Sequence, residues 1–181
     1  MANEQYGFYV DTTRCIECWG CVIACKQWHG IFAGTVSRRN IDQIDEGAFP
    51  DFRRSFLSLS CRHCETPACA AFCSENAIEK RGEDGIVFID WDTCTACGNC
   101  LTACPYGVPQ LRYVESFEDY KADKCDACLS LERPLGEDPH CVATCPMGAL
   151  HFGTMNEMEA LAGHKSGKRL EGTTEPSVFV S

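Results

Sequence analysis

Long apolar runs are missing from this sequence. No stretch approaches the ~18 consecutive apolar residues that a membrane-spanning helix needs, so no direct membrane span is expected. Branched aliphatics are scarce: Leu, Ile and Val total 27 of 181 residues, a thin supply for the core of a chain this long. Basic residues are outnumbered 16 to 26, for a net charge of −10. That excludes nucleic acid as an expected partner, because phosphate binding needs a basic face. The start, Met1-Ala2-Asn3-Glu4-Gln5-Tyr6, shows no basic stretch followed by an apolar one, so no cleavable signal is expected. The Arg38-Arg39 and Arg53-Arg54 pairs lie too far in for a twin-arginine signal. Low-complexity tracts and long like-charge runs are absent too, which argues against disorder. Cysteine is abundant, at 16 residues or about 9%, a level that defines a protein's class. Something bound by the cysteines is expected to replace the missing apolar core.

The cysteines fall into four groups of four: Cys15, Cys18, Cys21, Cys25; then Cys61, Cys64, Cys69, Cys73; then Cys94, Cys97, Cys100, Cys104; then Cys125, Cys128, Cys141, Cys145. Groups one and three read C-x2-C-x2-C-x3-C, and Pro105 completes the bacterial ferredoxin run. Three thiolates at that spacing reach three irons of one cube. The fourth, a helical turn further on, points away and ligates a second cluster. Such runs work in pairs, which matches four groups and four clusters. Disulfides fit poorly, since two intervening residues are too few for most bridges. Zinc favours two separated pairs and leaves a C-x2-C-x2-C knot with surplus ligands. A radical C-x3-C-x2-C motif is absent.

The chain also repeats itself. Phe8-Tyr9-Val10-Asp11 stands before Cys15 as Phe88-Ile89-Asp90 stands before Cys94, 79 residues on. Cys73 to Ile78 parallels Cys145 to Leu150. Each unit reads as a short strand, a turn, a cysteine loop and a short helix. The expected fold class is α+β, built from two copies of a two-cluster ferredoxin-like unit joined by long loops.

The pattern resembles the iron–sulfur electron-transfer (beta) subunits of molybdopterin oxidoreductases of the dimethyl sulfoxide reductase type. Gln5 to Asp11 with Arg14-Cys15, Ser60-Cys61-Arg62-His63-Cys64-Glu65, Ala103 to Gly107, Lys124 to Cys128, and Cys145-Pro146 carry the resemblance over residues 5–155. It implies two interleaved bacterial-type 2[4Fe-4S] modules. The outer one takes residues 1–30 plus 116–155, the inner one 56–115, with a cysteine-free insert at 31–55 and a tail at 156–181. It implies a ligand plan as well. One cluster takes Cys15, Cys18, Cys21 and Cys145, and the next Cys25, Cys125, Cys128 and Cys141. A third takes Cys61, Cys64, Cys69 and Cys104, and the last Cys73, Cys94, Cys97 and Cys100. Some relatives carry tryptophan at the position of Cys97 and a three-iron cluster there; this chain keeps cysteine, so four [4Fe-4S] clusters are expected. Ser74 stands where relatives usually have proline, and is expected to alter hydrogen bonding around Cys73.

The implied role is non-catalytic: an anaerobic respiratory subunit relaying single electrons between a molybdopterin-containing catalytic subunit and a quinol-linked membrane anchor subunit or soluble carrier. Either face of the bacterial cytoplasmic membrane, cytoplasmic or periplasmic, fits. A free-standing polyferredoxin, a hydrogenase- or formate dehydrogenase-associated subunit, and a zinc-binding interaction module are the alternatives. Four oxidised cubes bound by sixteen thiolates would take the net charge to about −18, which favours docking on basic surfaces. Trp19, Trp28, Trp91 and Tyr106 are expected to shield clusters. His63 and His140 stand beside cysteines, where a ligand or proton role is conceivable, but the five histidines are expected to serve in packing or hydrogen bonding, because the cysteine ligands are already complete. The insert, with its arginine pairs, is the expected partner contact. The tail is expected to form a short helix over Asn156–Ala162 with the rest extended, lying on a partner or loose.

Overall fold

The computed structural model describes residues 4–134 and 136–181. Strand β1 (Tyr6–Val10) leads into helix α1 (Gly20–Trp28), followed by a hairpin of β2 (Arg39–Glu46) and β3 (Arg53–Ser60). Next come α2 (Ala68–Ala71), β4 (Ile78–Lys80), β5 (Val87–Ile89) and α3 (Asn99–Ala103). A second hairpin joins β6 (Gln110–Val114) to β7 (Asp119–Asp123), ahead of α4 (His140–Ala143) and β8 (Leu150–Thr154). The chain closes with α5 (Met155–Gly163), β9 (Lys168–Arg169) and β10 (Val178–Val180). The architecture is the mixed α+β class expected, as ferredoxin-like cysteine modules.

The repeat is visible in the pairings. β1, ahead of the first cysteine group, pairs antiparallel with β8, behind the fourth. β5, ahead of the third group, pairs antiparallel with β4, behind the second. Asp11 N–H donates to Ala149 O at 2.8 Å, and Asp90 N–H donates to Ala77 O at 2.8 Å. Both aspartates then close the same turn. Asp11 Oδ1 accepts from Thr13 N–H at 3.0 Å, and Asp90 Oδ1 accepts from Asp92 N–H at 3.0 Å. Left-handed backbone recurs too: Glu17 and Ala96 both have φ 56°, and Trp19 at φ 60° matches Gly98 at φ 81°. A non-glycine residue held there is uncommon. Its recurrence shows that the cysteine loop imposes the conformation.

The helices beside the cysteines are too short to persist alone; α2 and α4 have four residues each. Their stability comes from what they cover. Cysteines make up much of what is buried. Cys21, Cys61, Cys125 and Cys141 share one core with Phe8, Val10, Ile41 and Leu150. Cys69, Cys94 and Cys100 share another with Ala77, Ile78, Val87 and Ala122.

Two segments depart from expectation. The helix of the tail forms as anticipated, one residue longer at each end, and Thr154 caps it by accepting from Glu157 N–H. The remainder neither hangs free nor waits for a partner. β10 lies parallel to β1 and between it and β9, in a sheet ordered β8-β1-β10-β9. Gly7 permits this approach, because a Cβ there would stand 2.2 Å from Ser177 O. The second departure is Arg38-Arg39. Both are buried, at 5% and 2% exposure, so this pair is not a surface for a partner. Arg53 and Arg54 of the same hairpin remain exposed. The hairpins also run across the expected module limits, β2–β3 over residue 55 and β6–β7 over residue 115.

Candidate iron–sulfur centres

All sixteen cysteines are free thiols. Cys15, Cys18, Cys21 and Cys145 line one cavity with Ile41, Leu150 and Ser58. Cys73, Cys94, Cys97 and Cys100 line another with Ile78, Ile89 and Ala122. The loops bring the other eight together as neighbours. Burial pushes Cys69 up to about 12, and the nearby Cys61, Cys104 and Cys64 sulfurs add to that rise. Burial likewise pushes Cys125 up to about 12, with Cys141 beside it. Cys25 is raised by burial and then by Cys125 and Cys141. Cys128 stands at about 11, raised by burial and by Cys141.

The donor set fits a polynuclear iron–sulfur group. Among the described residues, no three His, Cys, Asp or Glu side chains converge on a point where one ion could sit. A zinc ion needs its thiolates ~2.3 Å from a common centre; a cube accepts sulfurs spread around its corners. Donors already face several sulfurs. Ala77 N–H points at Cys73 Sγ at 3.2 Å, and Ala149 N–H at Cys145 Sγ at 3.3 Å. Thr174 Oγ1 donates to Cys64 Sγ at 3.2 Å, and Ser58 Oγ lies 3.3 Å from Cys21 Sγ. Such contacts stabilise thiolate and set cluster potential. Ser74 plays no such part: its hydroxyl turns to Glu75 at 3.1 Å.

A profile of the 4Fe-4S dicluster domain family matches residues 52–155. The probable anaerobic dimethyl sulfoxide reductase subunit YnfG of Escherichia coli K12 is 39% identical over 168 residues, covering 89% of this chain and 79% of that one. The B subunit of anaerobic dimethyl sulfoxide reductase from the same organism is 38% identical over the same length, with the same coverage. Protein NrfC of E. coli K12 is 36% identical over 154 residues, covering 84% of this chain and 67% of its own. The chain belongs to the iron–sulfur subunits of the dimethyl sulfoxide reductase type. Members of this family are the electron-transfer chains of multi-subunit reductases and do not perform the catalytic step. Multiple [4Fe-4S] clusters follow from the dicluster domain and the sixteen cysteines. No helix among the described residues is long and apolar enough to cross a membrane.

For an iron–sulfur subunit, the buried cations matter most, and sequence spacing did not single them out. Arg39 is fully enclosed, and its guanidinium donates to Ser58 O at 3.1 Å and Ser60 Oγ at 3.0 Å. Burial disfavours its charge, yet Cys141, Cys125, Cys21 and Cys25 together raise its pKa above the ordinary value. Arg39 therefore offsets thiolate charge on the side of groups one and four. Lys124 does so nearer the middle, its ammonium donating to Val87 O and, at 3.1 Å, to Cys125 O. Arg38 bridges Asp123 at 2.7 Å and Asp126 at 3.0 Å, tying the first hairpin to the loop of group four. Of the aromatics, Trp91 is half-buried and donates to Ala122 O at 2.9 Å. Trp28 stays exposed and stacks on His140 at 4.0 Å, so it covers the α1–α4 end from outside.

Proposed function

We propose that this chain holds four [4Fe-4S] clusters in a row and relays single electrons for a molybdopterin-containing catalytic subunit. The observation that carries the reading is that two cavities are each lined by four cysteines, while the other eight lie near one another between cysteine groups. Cys15, Cys18, Cys21 and Cys145 would hold one cluster; Cys25, Cys125, Cys128 and Cys141 the second; Cys61, Cys64, Cys69 and Cys104 the third; Cys73, Cys94, Cys97 and Cys100 the fourth. When bound, each cluster supplies a one-electron carrier whose potential depends on burial, charge and hydrogen bonds to sulfur.

The chain's own residues do the rest. Helix α1 offers Cys21 and Cys25 to the first two sites and α4 offers Cys141 to the second, while α2 and α3 carry Cys69 and Cys100, which belong to the last two. Cys125 and Cys61 are electrostatic neighbours, which supports second and third sites that adjoin across the module boundary. Cys18 and Cys97 are exposed, whereas Cys25, Cys61, Cys69, Cys125, Cys128 and Cys141 are buried. The ends of the row therefore meet partners, and the middle is kept dry. Module limits of 1–30 plus 116–155 and 56–115 belong to the same proposal. The strand pairs β1–β8 and β4–β5 support it. Anchoring to a membrane would come through a further subunit, and the exposed part of the 31–55 insert, which contains Phe49 at 94% exposure, is offered as a contact for a partner.

Anaerobic purification with native partners tests the reading. About sixteen irons per chain are expected from four cubes, together with a molybdenum-containing subunit. About twelve irons with a three-iron resonance in the native protein would refute the four-cubane count. Recovery of the chain with no molybdenum subunit from anaerobically grown cells would count against the partner.

A further inference from the structure

His63 lies between Cys61 and Cys64 and is completely enclosed, at 0% exposure and φ 41°. Its ring is fixed from several sides. Val87 N–H donates to Nδ1 at 3.2 Å. The His63 carbonyl accepts from Gln5 Nε2 at 3.1 Å and Ser177 Oγ at 2.9 Å. The ring also stacks 6.3 Å from Phe8. A neutral imidazole has one donor and one acceptor nitrogen. With Nδ1 accepting, Nε2 carries the proton.

That Nε2–H is buried and meets no partner among the described residues. Buried donors in native proteins are nearly always paired. The charged groups that act on this ring, Lys124, Asp126 and Lys80, are committed elsewhere. Lys124 donates to Val87 O and Cys125 O, and has no acceptor to offer. Lys80 likewise donates to Gln5 Oε1 at 2.6 Å and Cys64 O at 3.1 Å. Asp126 accepts from Arg38 at 3.0 Å, Cys128 N–H at 2.9 Å and Ser130 N–H at 3.1 Å. The ring sits where the Cys61–Cys64 loop meets Val87 and the Lys124–Asp126 segment.

We propose that His63 donates a hydrogen bond from Nε2 to a sulfur of one of the two inner clusters and raises that cluster's potential. The inference rests on the four-cluster reading. His63 is a positioning residue: it holds no iron and moves no proton. A donor at sulfur favours the reduced, more negative cluster, so its loss lowers the potential.

The test uses the full chain with its partner, titrated potentiometrically and followed by electron paramagnetic resonance. In His63→Phe, the midpoint of one inner cluster should fall by about 59 mV, a tenfold change in its reduced-to-oxidised ratio at fixed potential. The other three midpoints should hold. His63→Gln, whose amide N–H can stand in for Nε2, should recover most of the shift. Four unchanged midpoints in His63→Phe would overturn the proposal. Should that variant fail to assemble, chain labelled with 15N only in the histidine rings decides the matter, in a His29→Gln background that removes the imidazole lying 3.5 Å from Cys128 Sγ. A histidine nitrogen coupling to a reduced cluster supports the bond, and its absence refutes it. Iron counting separates the two readings, because a full complement of iron without this bond refutes only the role of His63.

Discussion

The two ends of this chain use one cysteine loop in two different settings. At the first end the loop of Cys15 to Cys21 hangs from β1, an inner strand of a four-stranded sheet. At the other the loop of Cys94 to Cys100 hangs from β5, half of a hairpin with three residues per strand. Inside the loops the parts correspond: Asp11 with Asp90, Trp19 with Gly98, Ala149 N–H with Ala77 N–H. Outside them they diverge. Asp11 is buried and bound by Lys165 at 2.5 Å, while Asp90 bonds only to its own turn and is partly exposed. Local sequence makes the ligand loop, and distant segments decide how firmly and how dry it is held.

Removal of iron should break both ends at once, and is the largest effect expected. The metal-free chain has only a thin apolar core, and its buried thiols would have to remain protonated. Binding energy of a structural metal is largely folding energy in small metal-bound domains. Anaerobic chelation should abolish the cooperative thermal transition followed by circular dichroism. A compact iron-free form with a sharp melt would show that the apolar core, and not the cysteines, holds the fold.

Arg39→Met should separate the ends. Breaking up a buried charge group by removing one partner costs about 3–5 kcal/mol, and the thiols that Arg39 offsets belong to groups one and four. Iron should fall toward about eight per chain, with the inner-module clusters retained. Arg54→Gln in the same hairpin removes an exposed pair with Asp45 and should leave both iron and melting temperature unchanged. Equal iron loss from all sites in Arg39→Met would contradict a local role for this cation. Asp11→Ala should then cost about 1–2 kcal/mol, because a buried lysine contact and a turn are lost together. Asp90→Ala, in the looser setting, should cost less in the same denaturation experiment.

The ligand loops were legible in the sequence because their chemistry is local. Spacing of two residues dictates the left-handed turns at Glu17 and Ala96, and the repeat of 79 residues exposed β1 and β5. Sequence marked His63 by its place between two cysteines and Arg39 as half of a basic pair, but did not show that either is buried; nothing local marks Thr174. Arg39 reads as half of a basic pair on an insert, yet β2 folds it inward onto sulfur. The tail reads as polar and glycine-containing, yet Val178-Phe179-Val180 completes the sheet beside β1. Three apolar residues in a row carried that signal. Only the narrow backbone of Gly7, at the far end of the sequence, explains why β10 can lie there.

Thr174 offers the finest test of how distant segments tune a common loop. Its hydroxyl donates to Cys64 Sγ at 3.2 Å from the far side of the tail, and also lies 3.2 Å from Tyr106 Oη. Ser58 has the corresponding position at Cys21, 3.3 Å away, delivered by the hairpin instead. Each hydroxyl hydrogen bond contributes about 1 kcal/mol, which for one electron corresponds to about 40 mV. Thr174→Val should lower the third cluster's midpoint by about that amount and leave the first unmoved, and Ser58→Ala should do the reverse. The Ser58 effect should be blunted, because the Arg39 charge remains next to Cys21 and partly replaces the lost donor. Identical shifts of all clusters in either variant would mean that the hydroxyls act through the fold as a whole. Separate shifts would mean that this chain sets its potentials one sulfur at a time, with segments that lie outside the cysteine motifs.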